Sequence, residues 1–201
     1  MDTHHLPFRP VAVSGAPSTD ARLADIIRWG RAFDRLGLAP SYGTGSHGNV
    51  SIRTAQGCLM SATRTFLGTI TAAQFVEVVR CDVTTQPATV EYRGALLPST
   101  DSLIHWHLYQ WRPEVACVLH AHDALVLEHA AALNLSQTPR EADAGSSELL
   151  TMIKPLAHHP YFLVKRHGFV ATGRTADEAG ALALAAHQQA EVLAHKKIAP
   201  V

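Results

Sequence analysis

The chain has 201 residues, 47% of them hydrophobic, and its 17 basic and 17 acidic side chains give a formal net charge of zero with histidine neutral. That is enough apolar material for one domain with a sizeable core, and too much for a disordered chain. With no basic excess to neutralise phosphates, the composition argues against nucleic-acid and anionic-membrane partners.

Thirteen histidines are the compositional oddity, and histidine is both the commonest metal ligand and the usual acid/base near neutral pH. Cys58, Cys81 and Cys117 are odd in number, far apart and form no CxxC pair, which fits a reduced, cytoplasmic compartment. Cys117 lies in an apolar run and reads as a small core residue. Residues 1–10 have no apolar core segment and do not read as a signal peptide. No stretch has the length of an uninterrupted transmembrane helix.

In chain order, residues 1–17, with three prolines and a glycine, read as an extended lead-in to a single domain over 18–201. Ser18, Thr19 and Asp20 are good capping residues for a helix carrying Leu23, Ile26, Ile27, Phe33 and Leu36 on one stripe and ending at Gly37. Tyr42 to Asn49 is a glycine-rich loop. Val50-Ser51-Ile52-Arg53 alternates as a strand, Ala55-Gln56-Gly57 turns, and Cys58-Leu59-Met60 returns. Thr71-Ala72-Ala73-Gln74 has the spacing of a capping box. Strands are expected at Phe75 to Val79 and Thr89 to Tyr92, then a helix over 99–111 stopped by Pro113. Residues 115–122 read as a buried strand and 124–133 as a helix. Residues 134–160 carry no clear pattern. Tyr161 to Val164 and Phe169 to Thr172 read as paired strands, and Thr175-Ala176-Asp177-Glu178 caps an alanine-rich helix reaching about His195.

The chemistry concentrates at the end of the run Val115-Ala116-Cys117-Val118-Leu119-His120-Ala121-His122. Alternate strand residues share a face, so His120 and His122 point the same way. Two neighbouring imidazoles suit a transition metal. His167 is the best third ligand: it ends a strand, and Gly168 lets the backbone turn beside it. Three imidazoles leave a position open, as catalytic zinc sites do. The other histidines, including His4-His5 and His158-His159, read as surface residues.

Asp101 is the candidate acid/base, although by spacing alone Ser99, Thr100 and Asp101 read first as helix-capping residues. His105, one turn on, shares Asp101's face and reads as a packing residue before a partner of Asp101. The loop Gly43 to Asn49 lacks the lysine and spacing of a P-loop and opens a strand, not a helix, which argues against a nucleotide site.

Taken jointly, Gly45-Ser46-His47-Gly48-Asn49-Val50-Ser51, Pro98-Ser99-Thr100-Asp101 with His105, Arg112-Pro113 before His120-Ala121-His122, and His167-Gly168 before a capped helix resemble the class II aldolase/adducin family over roughly residues 20–195. The resemblance implies an α/β fold, three layers αβα with a mainly antiparallel central sheet, and a homotetramer with active sites between subunits. It implies Zn2+, or another divalent ion such as Mn2+ or Co2+, on His120, His122 and His167, and Asp101 as the catalytic carboxylate. Gly48, Asn49, Ser99 and Thr100 take the positions that bind a substrate phosphate, and Ser61-Ala62-Thr63-Arg64 corresponds to a second phosphate loop.

The implied activity is that of a metal-dependent lyase cleaving or forming a carbon–carbon bond in a small, anionic hydroxy-carbonyl substrate through a metal-stabilised enediolate. Three departures from the pattern keep other readings in play. Aspartate replaces the usual aldolase glutamate and is closer to the 4-epimerases. Arg64 enters the second phosphate loop, where it either binds an anion or fills the pocket. The segment between His122 and His167 is short. The alternatives are a 4-epimerase, a decarboxylase or dehydratase on the same scaffold, and a non-catalytic adducin-like binding protein.

Overall fold

The computed structural model describes residues 6–198; the expectation for His4 and His5 lies outside them. The strands are β1 (Phe8–Ala12), β2 (Gly48–Arg53), β3 (Cys58–Ser61), β4 (Phe75–Asp82), β5 (Ala88–Arg93), β6 (Cys117–Ala121), β7 (Tyr161–Val164) and β8 (Gly168–Gly173). The helices are α1 (Leu23–Arg35), α2 (Ser102–Trp111), α3 (Ala124–His129), α4 (Ser147–Ile153) and α5 (Ala176–Ile198). All eight strands form one sheet in the order β1-β5-β4-β3-β2-β6-β8-β7. Every neighbouring pair is antiparallel except β1 with β5.

Helices cover both faces of this sheet, and the period-2 alternation of the central strands explains why. In β6, Cys117, Leu119 and Ala121 join a core with Ile26 and Phe33 of α1 and the alanine face Ala179, Ala183, Ala186 and Ala190 of α5. Val118 points the other way, into a core with Leu103, Leu108 and Tyr109 of α2 and Leu149 and Ile153 of α4. The sequence expectation of an αβα sandwich with a mainly antiparallel sheet therefore holds. The alanines of α5 permit close packing: a Cβ on Gly180 would stand 2.2 Å from the Trp29 ring. Among the described residues no helix is long and apolar enough to cross a membrane.

Several boundaries differ from the sequence expectation. Within the supposed lead-in, Phe8–Ala12 forms β1, registered Phe8 to Ala88 through Ala12 to Tyr92. Its edge position tolerates Pro10, which has no N–H to give a second neighbour. α1 starts at Leu23 rather than at the polar triplet, because Ser18 donates instead to Glu77 and Asp20 accepts from the Arg22 backbone. Thr71 and Gln74 do make the capping box, around one 3-10 turn. α3 is regular only to His129. Within the unpatterned stretch lies α4, capped by Ser146 accepting from the Leu149 N–H.

Gly168 is needed for a different reason from a sharp turn. The left-handed residue of the β7–β8 hairpin is Arg166, at φ 58°. At Gly168 a Cβ would lie 2.4 Å from the Ala121 carbonyl oxygen and 3.0 Å from the His120 ring. The glycine lets β8 close onto β6 beside the histidines.

Candidate metal and substrate site

The antiparallel register of β2 with β6 sets Asn49 directly opposite His120. Both face α2, because their neighbours Val50, Leu119 and Ala121 are committed to the opposite core. His122 lies just beyond β6 and His167 in the β7–β8 turn, so the two flank the same sheet end. Gly48, at φ 146°, lets the loop before β2 come close; a Cβ there would lie 2.6 Å from the His120 carbonyl oxygen.

The three imidazoles converge. Nε2 of His122 and Nε2 of His167 each lie 3.1 Å from Nε2 of His120, and the three donor atoms all lie within 4.8 Å of one another. On the far side of its ring, His120 Nδ1 donates to the Phe169 carbonyl at 2.7 Å. A carbonyl only accepts, so the proton sits on Nδ1 and the Nε2 lone pair faces the cluster. Burial, with some opposition from Asp101, lowers His120 to about 4, and burial together with the neighbouring imidazoles lowers His122 to about 2. Both rings are therefore neutral near pH 7, as ligation requires. Nitrogen atoms about 2.05 Å from a tetrahedral zinc stand about 3.3 Å apart, close to the 3.1 Å from His120 to each of the other two. The donor set fits a divalent ion with an open coordination position.

Asp101 precedes α2 but caps nothing with its side chain. Its Oδ2 accepts from Asn49 Nδ2 at 2.7 Å and lies 3.7 Å from His120 Nε2. Oδ1 is buried with no partner among the described residues, as is Oδ1 of Asn49. Burial works against the Asp101 charge, but His120, His167, Asn49 and His105 outweigh it and hold the carboxyl below its ordinary range. It is a carboxylate with a free oxygen, available to take a proton.

One turn along α2, His105 is wholly buried, yet it is more than packing. Its Nδ1 bonds the Ser51 hydroxyl at 2.7 Å, and that hydroxyl meets the Tyr109 hydroxyl at 2.8 Å. Burial lowers His105 to about 3. An unfolded histidine titrates near 6.5, so between these values the unfolded chain binds protons that the folded chain refuses. Stability is then fully present above about pH 6.5 and is lost as pH falls towards 4. His105 and His120 together should lower the melting temperature of chelator-treated protein by roughly 10 °C between pH 7 and pH 4.5, at on the order of 2 kcal/mol each. Melts across that interval check this, and a flat melting temperature contradicts it.

A cleft of about 340 Å³ opens over the cluster, lined by Gly48, Asn49, Thr63, Arg64, Ser99, Thr100, Asp101, His122 and His167. The structure thus brings the candidate site residues together, with the buried His120 3.1 Å from both His122 and His167 at the cleft. Arg64 sits at φ 57° and is exposed, and its guanidinium has no partner among the described residues. A larger apolar cleft beside Leu23, Ile27 and Phe75 carries none of this chemistry.

Some histidines expected at the surface are buried, paired or at the cleft. His129 is 4% exposed. His187 on α5 pairs with Asp123, the α3 cap, at 2.7 Å. His47 lines the cleft. The one sequence signal for His47 is its place directly before Gly48-Asn49.

Comparison with known proteins narrows the class. A methylthioribulose-1-phosphate dehydratase of Pseudoalteromonas translucida is 26% identical over 189 residues, covering 80% of this chain and 84% of that protein. A protein of the same name from Gluconacetobacter diazotrophicus is 36% identical over 100 residues, 49% of this chain and 43% of that one. The structure of L-fuculose-1-phosphate aldolase from Thermus thermophilus superposes with a TM-score of 0.69 at 20% identity, covering 90% of this chain and all of that one. The sequence model described as class II aldolase and adducin N-terminal domain matches residues 24–194. The chain belongs to the class II aldolase and adducin N-terminal domain family.

Proposed function

We propose that the protein is a metal-dependent lyase that dehydrates a small phosphorylated hydroxy-ketone, with methylthioribulose 1-phosphate as its first candidate substrate. The observation that carries the chemistry is the convergence of three imidazoles beside a buried carboxylate with a free oxygen. The two relatives named as dehydratases support loss of water over carbon–carbon cleavage.

His120, His122 and His167 would hold the ion, which when bound acts as a Lewis acid on the substrate's carbonyl and adjacent hydroxyl oxygens. Asp101 accepts the proton from the carbon next to the carbonyl, and the hydroxyl on the following carbon departs. The proton held by Asp101 is then available to complete water. Asn49 fixes the Asp101 carboxylate through its amide. Gly48, Ser99, Thr100 and Thr63 line the cleft and would meet the phosphate, and the Arg64 guanidinium, with no partner among the described residues, would bind an anion bidentately. Asp101 is only 4% exposed, so its carboxylate would be largely shielded from bulk water.

The zinc-loaded protein should convert methylthioribulose 1-phosphate to a product lighter by one water, read by mass spectrometry. Fuculose 1-phosphate, run alongside, tests the aldolase reading. Cleavage of the latter alone would replace dehydration by aldol chemistry, and inertness towards both would remove the proposal.

A further inference from the structure

His47 is the cleft residue whose part no other observation explains. Its loop is tied down at several points. The His47 N–H donates to the Pro40 carbonyl at 2.8 Å, the Tyr42 N–H to Gly45 at 2.9 Å, and the Ser46 N–H to Thr65 at 3.0 Å. Ser46 Oγ accepts from the Leu67 N–H at 3.1 Å. Gly45 has no room for a side chain, since a Cβ would stand 2.8 Å from the Tyr42 hydroxyl and 3.0 Å from Arg64 Cα. The loop therefore delivers the imidazole to one place.

There the ring is held by contacts with two other rings and not by its nitrogens. Its centroid lies 4.7 Å from the Tyr42 ring and 4.8 Å from the His122 ring, the latter nearly parallel at 25°. Neither ring nitrogen hydrogen-bonds another described residue. His47 does not belong to the group of converging donor atoms. A half-buried imidazole, fixed in position with unused polar atoms at the cleft wall, is equipped to meet a ligand.

We propose that His47 is a substrate-binding and specificity-determining residue, donating a ring N–H to a hydroxyl or carbonyl oxygen of the substrate on the His122 side of the cleft. The inference rests on the reading of the cleft as a site for a phosphorylated hydroxy-carbonyl compound. It implies selection for substrates bearing an oxygen there, because a donor left unpaired in the complex penalises analogues that lack it.

The test uses zinc-loaded wild type, His47→Phe, which keeps the stack without the N–H, and His47→Gln, which keeps a donor without the aromatic ring. The probe is 2-phosphoglycolate, whose carboxylate and phosphate mimic the two ends of such a substrate, measured by calorimetry. His47→Phe should bind it about tenfold more weakly and keep one zinc per chain, with His47→Gln within about threefold of wild type. With methylthioribulose 1-phosphate, His47→Phe should raise KM about tenfold and leave kcat within about threefold. Unchanged affinity in His47→Phe, equal weakening in His47→Gln, zinc loss in His47→Phe, or no binding of the probe to wild type would each overturn the proposal. Wild type that binds phosphoglycolate but does not turn over methylthioribulose 1-phosphate would sink the substrate reading alone, leaving the binding comparison to decide the role of His47.

Discussion

His120→Ala should abolish metal binding and turnover together, with zinc content falling from about one per chain to near none and activity dropping by at least about a thousandfold. His120 is the centre of the cluster: both other Nε2 atoms lie 3.1 Å from its own. It is also the cluster imidazole whose tautomer the fold fixes, through Phe169. Removing it leaves two half-buried imidazoles on different elements with no third imidazole between them among the described residues. Elemental analysis of dialysed protein gives the first readout.

Misfolding would mimic the result, so melting in chelator provides the control. The apo variant should melt within a few degrees of apo wild type at pH 7. Below pH 6 the gap should narrow, because a buried imidazole held at about 4 no longer opposes acid. Retention of one zinc in a folded variant would place the metal elsewhere and dissolve the site.

How far this site can be read from sequence depends on whether its determinants are local. The β6 strand is legible because apolar residues fill both of its faces up to His120, as a central strand demands. The capping box at Thr71 and Gln74 is legible because its partners are three residues apart. Asp101 is ambiguous, since a residue before a helix usually caps it. Only the tertiary bond to Asn49, 52 residues away, turns the carboxylate into the cleft.

The gathering of Asn49, Arg64, Ser99 and His167 depends on strand order, in which β2 lies beside β6 and β6 beside β8. No local period encodes that order, and family resemblance rather than spacing anticipates it. β1 is hidden in the sequence because its strand partner, β5, lies 80 residues on. α4 is hidden because seven residues give too few turns for a periodic signal. The meaning of His47 lies in a ring stack with His122, which no sequence neighbour reveals.

The second large effect separates proton transfer from metal binding. Asp101→Asn should retain one zinc per chain and lower kcat by about a thousandfold, with KM changed by less than about fivefold. The substitution keeps shape, and an amide oxygen still accepts from Asn49 Nδ2, so the bond that orients the side chain survives. The three converging imidazole nitrogens are untouched. What disappears is the basic oxygen, and with it any group at that position able to take a proton at neutral pH.

The pH profile gives an independent sign. Burial alone would raise Asp101, but the surrounding imidazoles and Asn49 more than offset it and keep the carboxyl ionised below its ordinary range. In wild type this carboxylate is therefore already deprotonated at pH 5 and above, so its protonation imposes no acid limb between pH 6 and pH 8. The variant should be slow by the same factor throughout that interval. Asp101→Glu, one methylene longer, restores the base at a shifted position and should recover part of the rate. A folded, zinc-loaded Asp101→Asn protein with unchanged kcat would assign the proton transfer to another group, and Asp101 would then serve only to hold Asn49 and His120 in place.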